Sequence, residues 1–141
     1  MTTLLLTEDL LQRIQAHAIQ EYPYECCGFL LGTLQNGLAE ALEYLPATNQ
    51  KPDERERRFL IDPQAYQEAE DRADQKDLSL ISIVHSHPDH PDQPSEFDRT
   101  HAWPGISYLI LAVQRGQVVG QRSWQLKDDR SAFVQETLKI L

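Results

Sequence analysis

The chain has 141 residues, which suits one domain built around one core. A formal charge of −9 leaves no basic face for nucleic acid or an anionic membrane, so a neutral or basic partner is expected. The two cysteines, Cys26 and Cys27, are adjacent; they exclude a disulfide framework within the chain and point to a reducing cytosol.

The N-terminus has no basic region and too short an apolar run for a signal peptide, and no stretch is long enough to span a membrane. Leu4 to Leu6 reads as a short first strand. Thr7 is a predicted N-cap, with Glu8 and Asp9 at the positive end of a helix whose apolar stripe is Leu10, Leu11, Ile14, Ala18 and Ile19. His17 lies at the edge of that stripe, and Pro23 ends the helix. Cys26 to Leu31 reads as a buried strand, with Gly28 allowing close backbone approach and Gly32 ending it. Asn36-Gly37 predicts a hairpin, and Ala39 to Leu45 the returning strand.

Pro46 to Arg58 is polar and without periodicity, hence a loop; its Lys51 to Arg58 portion reads as a solvated loop or as a flap beside a cleft. Phe59 to Ile61 is a predicted short strand. Asp62-Pro63 opens a helix to about Lys76 with the stripe Ala65, Tyr66, Ala69 and Ala73. Leu78 to Val84 reads as a buried strand, Ile106 to Val113 as a central one, and Val118 to Leu126 as a strand carrying Trp124. A last helix is expected, capped by Asp128 or Asp129, with Phe133, Val134, Thr137, Leu138 and Leu141 on one side. The order implies a single α/β domain over residues 1–141, a mixed sheet flanked by helices rather than a doubly wound parallel sheet.

The chemistry concentrates between residues 85 and 98. His85 and His87 stand where the buried strand ends, and residues two apart on a strand share a face. Two neutral imidazoles on one face begin a zinc site, and a catalytic site needs one further protein ligand. Pro88, Pro91 and Pro94 force a loop. Ser95 then caps a helix, and Asp98 in its first turn can serve as the third ligand, aimed back at the strand end. Ser86, on the opposite face, is expected to be structural, as is Cys27. Glu25 stands at the entry of a buried strand, where a carboxylate is either solvated or catalytic.

The run His85-Ser86-His87-Pro88-Asp89-His90 also matches the metallo-β-lactamase signature, which would place Asp89 and His90 on a second metal. That fold needs further histidines well downstream. Only His101 follows, too near, and the chain is too short for that sandwich. His90 and His101 are therefore read as surface or cleft-rim residues.

Glu25, His85-Ser86-His87-Pro88, Ser95 and Asp98 together resemble the JAMM (MPN+) motif. In that motif an upstream Glu precedes His-x-His, ten residues intervene, and an Asp follows with Ser three before it. Glu25-Cys26-Cys27-Gly28-Phe29-Leu30-Leu31-Gly32 is similar to the Glu-x-Cys-Gly-x-Leu-x-Gly context of stand-alone bacterial members. The resemblance spans the first helix to the strand at Ile106, with no motif residue missing. It implies a zinc metallopeptidase of cytidine-deaminase-like α/β fold. His85, His87 and Asp98 would hold one catalytic Zn²⁺, whose bound water ionises near pH 7 (roughly). Glu25 would move the proton, and Ser95 would donate to the oxyanion. The implied substrate is the C-terminal tail of a ubiquitin-like or β-grasp sulfur-carrier protein, laid along a sheet edge. A zinc-holding scaffold without turnover and a small-amide zinc hydrolase are the alternatives.

Overall fold

The computed structural model describes residues 2–47 and 63–141. Thr3–Leu6 forms β1, and Thr7 turns the chain into α1, Glu8–Glu21, by accepting the Leu10 N–H on its side chain. Such a cap stabilises a helix by about 1 kcal/mol. Leu10, Leu11, Ile14 and Ala18 bury as the spacing requires, whereas Ile19 points outward at 45% exposure.

Cys27–Gln35 (β2) and Leu38–Ala47 (β3) form the expected hairpin, with Asn36 and Gly37 at φ 53° and 80°. Gly28 does permit close approach: a Cβ there would meet the Tyr44 ring at 2.6 Å and the Leu45 carbonyl at 2.8 Å. Gly32 does not end the strand. It sits at a register shift inside β2, where a Cβ would lie 1.9 Å from the Glu40 carbonyl oxygen, so the glycine lets the bulged ladder continue.

The helix beginning at Pro63 is α2, Pro63–Gln75, which buries Ala69 and Ala73. The predicted Phe59–Ile61 strand and the Lys51 to Arg58 loop lie outside the described residues. Ser79–Pro88 is β4, Glu96–His101 is α3, Ser107–Gln114 is β5 and Gln117–Leu126 is β6.

The predicted last helix is instead a strand, β7, Phe133–Ile140. Phe133, Val134, Thr137, Leu138 and Leu141 fit a helical stripe, but the same segment also alternates: Glu136 is buried and Leu138 and Ile140 half-buried, while Gln135, Thr137 and Lys139 are exposed. Two neighbours decide between the periods. β7 pairs antiparallel with β6 and parallel with β1. Glu136 is tolerated on the inner side because Ser123 Oγ and Thr2 Oγ1 each donate to it at 2.5 Å. Asp129 caps no helix; its carboxylate accepts the Ser131 N–H and hydroxyl in a tight turn.

The sheet is mixed, as expected, but closes on itself in the order β1-β3-β2-β4-β5-β6-β7, with β7 bonded back to β1. β4 lies between β2, antiparallel, and β5, parallel, and α3 makes the crossover between the two parallel strands. β4 residues enter two cores. Val84 joins α1, Leu109 and Leu111; Ile83 joins Phe29, Tyr108 and Ala69 of α2. No described helix is long and apolar enough to cross a membrane.

Candidate metal centre

β4 extends through both histidines, paired with β5 along its whole end and with β2 as far as His85, so both are fixed by a strand rather than by a loop. His85 is fully buried and His87 nearly so. Their Nε2 atoms are 3.2 Å apart. Between them, on the other face, Ser86 accepts the Cys26 N–H on its hydroxyl at 2.8 Å and donates its own N–H to the Cys26 carbonyl. That double grip presents the neighbouring residue, Glu25, to the imidazoles. One ligand atom from each of Glu25, His85 and His87 lies within 4.8 Å of the others.

Asp98 comes from α3. Ser95 is the N-cap: its hydroxyl accepts the Asp98 N–H at 3.1 Å, and Asp98 Oδ2 accepts the Ser95 N–H at 2.8 Å, a complete capping box. The same carboxylate reaches back to the strand, with Oδ1 3.3 Å from His85 Nε2 and Oδ2 3.1 Å from His87 Nε2. The cap thus sets the direction of the carboxylate.

These separations suit a divalent cation. Ligand atoms about 2.0–2.1 Å from a tetrahedral metal stand about 3.3 Å from one another. His87 Nδ1 lies 2.7 Å from the Pro91 carbonyl, to which it can only donate. In the neutral ring Nε2 is then a bare lone pair facing a carboxylate oxygen, so a proton or a cation must lie between them. Burial lowers His85 below the ordinary imidazole range against the opposing pull of Asp98, which favours the neutral, metal-binding form. Burial pushes the Asp98 carboxyl up, but protons on the imidazoles at its oxygens outweigh this and hold it below the usual carboxylate range, a part a cation would take over when the rings are neutral. Two imidazoles and two carboxylates are a donor set for zinc or another first-row divalent metal.

The cluster opens on a cavity of about 490 Å³ lined by Glu25, His87, Pro88, His90, Pro91, Gln93, Pro94 and Ser95. His90 is therefore a rim residue, while exposed His101 stacks on Phe97 at 4.1 Å, outside the cluster. His17 stands apart from the cluster, bonded to the Tyr44 hydroxyl at 2.6 Å. Asp89 is committed elsewhere: its carboxylate accepts the Tyr22 hydroxyl and the Arg115 N–H, so it does not form the second metal site of the lactamase signature. Cys26 and Cys27 are buried free thiols, each pushed up to about 12 by burial, and neither joins the cluster. Sequence reasoning missed the Pro91 carbonyl as a partner of His87. Only its place within the proline-rich loop hinted at an ordered backbone there.

The solution structure of a protein from Desulfitobacterium hafniense is 27% identical, covers 98% of this chain and 92% of its own, and superposes with a TM-score of 0.85. A protein of Salinibacter ruber is 36% identical, with a TM-score of 0.75 over 100% of this chain and 92% of that one. A JAB1/MPN domain protein from Archaeoglobus fulgidus shares the fold at 17% identity, with a TM-score of 0.59 over 100% of this chain and 97% of that one. No curated protein matches the chain. The family model for prokaryotic homologs of the JAB domain matches residues 7–127, a span holding Glu25, both histidines, Ser95 and Asp98, so this chain belongs to the prokaryotic JAB family.

Proposed function

We propose that this protein is a zinc-dependent peptidase or isopeptidase of the JAMM type, cutting the bond at the C-terminal tail of a ubiquitin-like or β-grasp sulfur-carrier protein. The observation that carries the reading is that the two imidazoles of His85 and His87 are met by Glu25 on one side and by the Asp98 carboxylate on another, with Glu25 and His87 lining an open cavity. On the same reading the closed sheet with its three described helices is a variant of the cytidine-deaminase-like architecture. The free thiols of Cys26 and Cys27 accord with a reducing cytosol.

His85, His87 and Asp98 are the residues that would hold the metal. Bound zinc supplies Lewis acidity, which acidifies water and polarises the scissile carbonyl. Glu25 takes the proton from the attacking water and hands it to the leaving amine. It is 2% exposed, so bulk water is a poor substitute for it. Ser95 already accepts the Asp98 N–H on its oxygen, which leaves its hydroxyl hydrogen available to the developing oxyanion. Its exposure on the cavity wall supports this role.

The test is incubation of the zinc-loaded protein with β-grasp proteins bearing extended C-termini, read by intact mass. Loss of the extension, dependent on tail length, is expected. Cleavage of small amides irrespective of tail length would identify a small-amide hydrolase. Tight zinc binding with no turnover on either class would identify a scaffold.

A further inference from the structure

The loop joining β4 to α3 is tied down by a strand that contributes no ligand. Gly120, Arg122 and Trp124 alternate along β6 and so share one face. All three meet Asp92. The Trp124 indole N–H donates to the Asp92 carbonyl at 3.0 Å, and Arg122 Nε lies 3.4 Å from Asp92 Oδ1. A Cβ on Gly120 would stand 2.9 Å from Asp92 Oδ2, so the missing side chain makes room for the carboxylate. Asp92 follows directly on Pro91, whose carbonyl is the 2.7 Å partner of His87 Nδ1. With its side chain and its carbonyl both held, Asp92 leaves the Pro91–Asp92 peptide little freedom to rotate.

We propose that this face of β6 is a cradle that aims the Pro91 carbonyl at His87 and thereby sets the metal affinity of the centre, with Trp124 as its main positioning residue. The inference rests on the metal-binding reading of the cluster. The bond at Nδ1 directs the Nε2 lone pair toward Asp98 and His85 and raises the basicity of the ring as a ligand; such supporting partners are typically worth about 10- to 100-fold in metal affinity.

Trp124→Phe keeps an aromatic ring and removes the donor. Zinc affinity, measured by competition with a chromophoric chelator, should fall about tenfold. The visible absorption of the Co²⁺-loaded protein should shift, because the His87 ring is no longer held in one orientation. A merely structural role for Trp124 would lower the stability of the metal-free protein and leave affinity and spectrum unchanged, which overturns the proposal. Should that variant fail to fold, Arg122→Gln at an exposed position carries the same test with a smaller expected loss, and unchanged affinity there overturns it equally. These readouts need no substrate, so absence of peptidase activity would sink the proposed reaction alone. A native protein that takes up no zinc would bring down both.

Discussion

Replacing Glu25 by Gln separates proton transfer from metal binding. The side chain is 2% exposed and its amide analogue has the same shape, so packing is retained. The Ser86–Cys26 bonds that place the segment involve neighbouring residues and stay intact. Gln cannot accept a proton. General acid–base groups contribute about 10²–10⁴ in rate, or about 3–5 kcal/mol of barrier, and exclusion of bulk water from this position puts the expected loss toward the upper end. Zinc affinity should change far less than the roughly 10- to 100-fold that follows loss of a group supporting a ligand. The paired assay is turnover of a tail-extended β-grasp protein by intact mass and chelator competition for zinc. Near-native turnover refutes the proton-transfer role. Joint loss of zinc and turnover makes Glu25 a ligand instead, an arrangement its proximity to both imidazoles would accommodate.

Three further outcomes are expected. Ser86→Ala leaves the buried Cys26 N–H without its acceptor and should cost about 1–3 kcal/mol in denaturant unfolding, the reasoning failing if stability is unchanged. Ser95→Ala removes a cap worth about 1 kcal/mol and an oxyanion donor worth about 10²–10³ in kcat; an unaltered kcat at full zinc loading would exclude the second role. His17 is lowered chiefly by burial, with Glu21 opposing, and the Tyr44 hydroxyl bonded to its ring. Its folded pKa lies below its unfolded one, so the unfolded chain binds more protons as pH falls below about 6.5, and stability is lost until pH passes the folded value. In the metal-free protein His17→Gln should flatten that loss between neutral and mildly acidic pH, and parallel curves for variant and native chain would remove His17 from the account.

Much of the site was legible in one dimension because its geometry is local. Two residues along a strand share a face, so His85 and His87 had to converge. A serine three residues before an aspartate is a capping box, so Ser95 and Asp98 had to be neighbours. Glu25 lies sixty residues before His85, and its approach depends on β2 pairing with β4, with Cys27 opposite His85. The family motif anticipated that approach; periodicity alone did not.

Elsewhere local pattern admitted two answers. Phe133 to Leu141 satisfies the helical and the strand period alike, and only the open edges of β1 and β6 chose the strand, because an unpaired ladder leaves its backbone groups unsatisfied. Gly32 resembled a strand end until the close Glu40 carbonyl showed why the bulge needs it. Trp124 looked like any strand aromatic, and nothing in its spacing tied it to Asp92. The sequence alone determined the secondary elements built on short-range spacing and the residue types able to hold a cation. Closure of the sheet, the approach of Glu25 and the anchoring of the loop by β6 were decided by contacts between residues far apart in the chain, which appear only when the strands pair.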